Sequence, residues 1–172
     1  MQVDAATLEA LLARWPVGRL ATVAADGRPH QVPVVFVADA ERLYTPVDGK
    51  RKLMDGRPGT LARVVHVRAR GYASLLLDAY DDDWSQLWWL RLDGPARVVT
   101  VGAAVAGDAD SVAASFQWVA TALREKYPQY RHVAPFSGAP TLIELHWQRV
   151  AAWSQAGDLT PMRRAAGLLP DA

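Results

Sequence analysis

Hydrophobic residues recur along this chain at two spacings, and the switches between them mark its elements. After Asp4, the residues Leu8, Leu11, Leu12 and Trp15 follow at intervals of three and four. That is the stripe of an amphipathic helix with an aspartate N-cap, ended by Pro16 and Gly18. Arg19 to Ala24 and His30 to Val37 are β-rich runs joined by Asp26-Gly27, a dipeptide that favours a tight hairpin turn. A third strand is expected at Arg42 to Pro46, after the turn Asp39-Ala40-Glu41. Between Gly56 and Arg70 the apolar residues Leu61, Val64, Val65 and Val67 fit either a short helix or a strand. Tyr72 to Tyr80 reads as a strand. Leu87 to Val101 is a long β-rich stretch interrupted by Gly94-Pro95, where a bulge or bend would spare Pro95 from the ladder. Val112, Phe116, Val119 and Leu123 form a second helical stripe that Pro128 stops. Thr141 to Trp153 alternates as a last strand, and the tail from Gly157 has no clear period. This order of helix, antiparallel strands, helix and strand predicts a mainly β fold, a small barrel with flanking helices, and not a βαβ sheet.

Length and composition narrow the picture. The chain has 172 residues, which fits one domain over residues 1–172, able to bury roughly 70% of its unfolded surface. It is 51% hydrophobic and 22% charged with 7 Trp, the usage of a globular protein apart from the tryptophan excess. With no Cys, disulfides, thiolate metal sites and cysteine nucleophiles are excluded. The first residues carry no basic stretch and apolar run of a signal peptide, and no segment reaches the roughly 18 apolar residues of a spanning helix, so a cytoplasmic protein without membrane contact is expected. A net charge of +1 supplies no long-range field for a polyanion, which argues against nucleic acid as a partner.

Candidate chemistry is defined first by absence. There is no GxGxxG, Walker loop, GxSxG or HExxH, and His30, His66, His132 and His146 show no ligand spacing. A protein without an acid, base or nucleophile constellation can still be an enzyme if a redox cofactor carries the chemistry. Of 19 basic residues only three are Lys, and two of them, Lys50 and Lys52, flank Arg51. Two ammonium groups and a planar guanidinium suit a phosphate, although such a triplet is also an ordinary solvated turn. Trp88 and Trp89 would face opposite sides of a strand, one in the core and one lining a cleft or interface.

Together these segments resemble the pyridoxamine 5′-phosphate oxidase-like split β-barrel superfamily, and within it the branch of F420-dependent oxidoreductases. The resemblance rests on Gly18–Val23, Asp26–His30 and Val32–Phe36 as opening strands, on Leu43–Lys52 as strand and basic loop, and on Ser74–Val98 as strand, acidic loop and long strand. It spans residues 8 to 153. The family's Arg-Asn and Asn-Pro pairs have no counterpart in Leu61–Gly71.

The resemblance implies a homodimer with cofactor sites at its interface. Backbone from Pro33, Val34, Val35 and Phe36 and from Tyr44, Thr45 and Pro46 would hold the ring. Lys50, Arg51 and above all Lys52 would hold phosphate. Arg57 and Arg63 would be available to an acidic tail, and Trp88 or Trp89 would reach the site. The expected cofactor is coenzyme F420, a deazaflavin, used for hydride transfer to or from a small organic substrate. FMN in the same fold is the alternative cofactor, and a non-enzymatic haem or tetrapyrrole binder the alternative function.

Overall fold

The computed structural model describes residues 1–48, 61–102, 109–136 and 138–170. Lys50, Arg51, Lys52 and Arg57 therefore lie outside the described residues. Among those described, the chain forms eight strands and four α-helices: α1 (Ala5–Arg14), β1 (Gly18–Val23), β2 (Pro29–Val34), β3 (Val37–Asp39), β4 (Arg42–Pro46), α2 (Ala62–Arg70), β5 (Tyr72–Ala79), β6 (Trp88–Thr100), α3 (Ala109–Lys126), β7 (Thr141–His146), β8 (Arg149–Ser154) and α4 (Thr160–Ala165).

All strand pairs are antiparallel, and one long strand organises them. The first part of β6 pairs with β5 from Ala79↔Trp88 to Tyr72↔Pro95 and with β8 from Trp88↔Ser154 to Asp93↔Arg149. Its last part, Ala96 to Thr100, pairs with β7. The first sheet is thus β2-β1-β5-β6-β8, the second β6-β7-β4-β3, and the whole is an unclosed split β-barrel. Gly94-Pro95 sits at the handover. A Cβ at Gly94 would collide with the carbonyl oxygen of His146, so glycine lets the second sheet fold back closely, and Pro95 lies where the neighbour changes from β8 to β7.

The two sheets differ in what covers them. In β1, β5 and β6 buried and more exposed positions alternate, whereas β4 and β7 are buried almost throughout. The inward side chains Leu20, Leu75, Leu77, Leu90, Leu92 and Trp88 fill the barrel together with Leu11 of α1, Val64 and Val67 of α2 and Met162 of α4. On β4, Leu43 joins that core, while Tyr44 turns outward beneath α3 with Val35, Val119 and Leu123. The second sheet is therefore sandwiched, and the first keeps one open face.

The Asp4 side chain accepts from the Thr7 N–H at 2.8 Å, as an N-cap should. Four segments differ from the sequence pattern. The run His30 to Val37 breaks into β2 and β3 at Val35-Phe36. There the hydroxyl of Tyr127 accepts from the Phe36 N–H at 3.0 Å and donates to its carbonyl at 2.9 Å. The run Thr141 to Trp153 is likewise two strands, because the Trp147 N–H turns to Glu41 and the Gln148 N–H to Asp93. The ambiguous segment after Leu61 is the helix α2, closed by Gly71 in the left-handed conformation (φ 64°). The aperiodic tail holds α4, too short to show a period, with Pro161 in its first turn. Among the described residues no helix is long and apolar enough to cross a membrane.

Candidate functional site

β4 leads straight into the basic segment. β3 pairs only with Arg42–Tyr44, so one edge of Thr45 and Pro46 extends past it, while β7 pairs with all five residues. After them the Val47 N–H donates to Thr141 at 2.9 Å, and Asp48 is buried at 5% exposure. Its carboxylate accepts from the Tyr130 hydroxyl at 2.7 Å. Burial and the adjoining Asp48 charge push the Tyr130 hydroxyl far up from its ordinary pKa, so it stays a donor. A buried acid hydrogen-bonded to the segment after α3 thus fixes the foot of the stretch that carries Lys50, Arg51 and Lys52.

Arg63, in the first turn of α2, lies within electrostatic reach of Asp48. Its Nε is buried without a hydrogen-bond partner, as is the Thr45 hydroxyl oxygen. Burial lowers the pKa of Arg63 and the Asp48 charge opposes that shift. A guanidinium can only donate, and a buried donor left without an acceptor costs about 1–3 kcal/mol or more. Among the described residues the Arg63 Nε therefore has no oxygen acceptor, such as a phosphate or carboxylate would supply.

The other expected residues fall in two places. Val35 and Phe36 are buried at the β2–β3 bend, and both main-chain polar groups of Phe36 are taken by Tyr127. Pro33 lies on β2, at the edge of the first sheet, opposite Arg19. Val34 is buried in the barrel. Trp88 faces inward, 2% exposed, with its ring 4.8 Å from that of Trp15 in an edge-to-face contact. Trp89 faces outward, directly opposite Trp153 of β8. The alternation expected for this Trp pair is what the register delivers.

That outward face holds a cavity of about 410 Å³ lined by Arg19, Gln31, Leu76, Trp89, Arg91 and Trp153, with Trp88 at its border. Its charges are neutralised locally: Arg19 pairs with Asp78 at 2.7 Å and Arg91 with Asp93 at 3.0 Å, while the Ser74 hydroxyl donates to Asp93 at 2.6 Å. What remains is a tryptophan-lined apolar floor, suited to a flat ring or to another protein surface. Tyr44, Thr45, Pro46 and Arg63 do not line this cavity; within one chain the donor-rich corner and the tryptophan face are separate.

The sequence reading missed Asp48, Tyr130 and Trp153. Asp48 adjoins the basic triplet and was within reach of inspection. Nothing local links it to Tyr130, 82 positions away. Trp153 lay in a run read as one strand, which hid its pairing with Trp89.

The fold defines a split β-barrel with flanking helices. The profile of the family described as pyridoxamine 5′-phosphate oxidase matches residues 5–154, most of the chain, and the chain belongs to that family. A conserved hypothetical protein from Mycobacterium tuberculosis superposes with a TM-score of 0.65 at 16% identity, over 100% of this chain and 92% of that one. The haem storage protein of Vibrio cholerae gives 0.56 at 15% identity, over 90% and 95% of the two chains. An F420 reductase gives 0.52 at 17% identity, over 83% and 94%. At these identities the likeness is one of fold. Among curated proteins none matches this sequence.

Proposed function

We propose that this chain is a cytoplasmic, homodimeric oxidoreductase that binds coenzyme F420 and transfers hydride between it and a small organic substrate. The observation that carries the reading is the Arg63 Nε, buried without a hydrogen-bond partner among the described residues and within electrostatic reach of Asp48, which precedes Lys50-Arg51-Lys52 by two positions. An anionic cofactor would supply the oxygen acceptor that the Arg63 Nε does not find among the described residues. In this reading Lys50, Arg51 and Lys52 hold phosphate, Arg57 and Arg63 hold further acidic groups, and the backbone of Pro33–Phe36 and Tyr44–Pro46 borders the ring.

The bound deazaflavin would supply a two-electron hydride donor or acceptor, so the protein needs only to orient the substrate and exclude water. A second copy seated on the open face of the first sheet would bring Trp89 and Trp153 of one protomer to the donor-rich corner of the other. The F420 reductase of the same fold supports the cofactor assignment; the haem storage protein makes haem the alternative to test.

Titration by intrinsic tryptophan fluorescence with F420, FMN and haem at matched ionic strength separates these readings. We expect saturable F420 binding that Arg63→Ala and Lys52→Ala each weaken by about 1–3 kcal/mol, the scale of a charge-assisted contact. Binding of FMN alone would make the protein a flavoprotein, and binding of haem alone would overturn the enzyme assignment.

A further inference from the structure

Apart from the cofactor corner, the molecule has a second cavity with one reactive group in it. It measures about 390 Å³ and lies between α1, β3 and α3, with walls from Leu12, Ala13, Val37, Ala38 and Ala122. Lys126, at the end of α3, lines it, as do Glu9 and Glu125. The Lys126 amine donates to the Leu12 carbonyl at 2.6 Å and sits 3.7 Å from the centre of the Phe36 ring. Tyr127 presents its ring from the same side at 5.3 Å. Among the described residues no carboxylate stands within ion-pair distance of Nζ.

We infer that this cavity is a covalent site for small aliphatic aldehydes, held as an imine on Nζ of Lys126. Its size and apolar walls suit a short alkyl chain, and among the described residues that line it the amine is the one nitrogen nucleophile. Removal from water pulls the pKa of Lys126 down to about 7, because burial disfavours the charged form and no carboxylate offsets it. A neutral amine has two N–H groups and one lone pair. One N–H is directed to the Leu12 carbonyl, and the lone pair of the neutral amine is the nucleophile. It forms the C–N bond, the carbonyl oxygen gains a proton, and the resulting carbinolamine loses water to leave the imine; nothing is oxidised or reduced. The proton lost by nitrogen and the proton gained by oxygen exchange through water.

The chain has three lysines, Lys50, Lys52 and Lys126, which makes the test clean. Propanal with sodium cyanoborohydride is added to the whole protein, and each lysine peptide and the amino terminus are followed by mass. At pH 7 about half of Lys126 is neutral against roughly one part in 2,500 of an ordinary lysine. We expect propylation of Lys126 at least about tenfold faster than of Lys50 or Lys52, levelling off above about pH 8. Equal rates, or a Lys126 rate that climbs through pH 10, would overturn the proposal. Ala13→Leu, at an exposed position of α1, narrows the cavity without touching the core and should slow Lys126 severalfold at unchanged circular dichroism; an unchanged rate places the attack outside the cavity and defeats the assignment. No cofactor is added, so the result is independent of the F420 reading.

Discussion

Removing the hydroxyl of Tyr127 tests what holds the break between β2 and β3. That one group serves both the N–H and the C=O of Phe36, at 3.0 and 2.9 Å, and Tyr127 is 4% exposed. Tyr127→Phe keeps the ring and its packing but leaves two buried main-chain groups without partners, each costing about 1–3 kcal/mol. Loss of the buried hydroxyl itself returns part of that, so we expect a destabilisation of about 2–4 kcal/mol. At about 2–4 °C per kcal/mol for a chain of this size, the midpoint should fall by roughly 5–15 °C. Urea unfolding should show a lower midpoint at unchanged slope, and the Phe36 amide should lose its protection from hydrogen exchange. Tyr80→Phe, at 88% exposure, is the control and should stay within about 0.5 kcal/mol of the parent. If Tyr127→Phe also stays within that margin, the bend is not held by this hydroxyl and the account of the interrupted strand fails.

Further outcomes follow from the same geometry. Tyr130→Phe removes the hydroxyl that donates to the buried Asp48 carboxylate and should cost about 1.5–3 kcal/mol in urea unfolding; on the proposed function it should also weaken cofactor binding. Trp153→Glu places a charge on the open face opposite Trp89; if the proposed dimer forms through that face, light scattering should report monomer for the variant and dimer for the parent, and an unaltered dimer would remove that face from the interface. Lys126 makes stability depend on pH with a definite sign. Its folded pKa of about 7 lies below the ordinary lysine value of about 10.4, so between them the unfolded chain binds more protons and stability rises with pH. Against Lys126→Met, which cannot titrate, the parent should gain stability from pH 7 to 9 with a slope approaching about 1.4 kcal/mol per unit; a flat difference would show that the amine is charged throughout.

Elements stopped or started by chain neighbours were legible in the residues alone. Asp4 caps α1, Asp26-Gly27 turns the first hairpin, and Pro128 follows the end of α3, because caps, turns and prolines act through sterics and hydrogen bonds a few residues long. The family followed from the order of these segments. The corner at Arg63 was partly legible: the arginine was named, but its burial and the anchor at Asp48 were not. Where a β-rich run breaks was hidden, since Val35-Phe36 is as strand-like as its neighbours and the break is held by Tyr127, 91 positions away. The helical state of Ala62–Arg70 was hidden too, because Val64 and Val67 fit a helical spacing while Val65 and Val67 fit strand alternation, until a core exists to receive Val64 and Val67. Sequence determined which segments are β and where tight turns fall; tertiary structure decided which strand each edge meets, which face stays open and which buried polar groups pair. Periodicity records only the side a residue turns toward, while the partner found on that side is set by the rest of the chain.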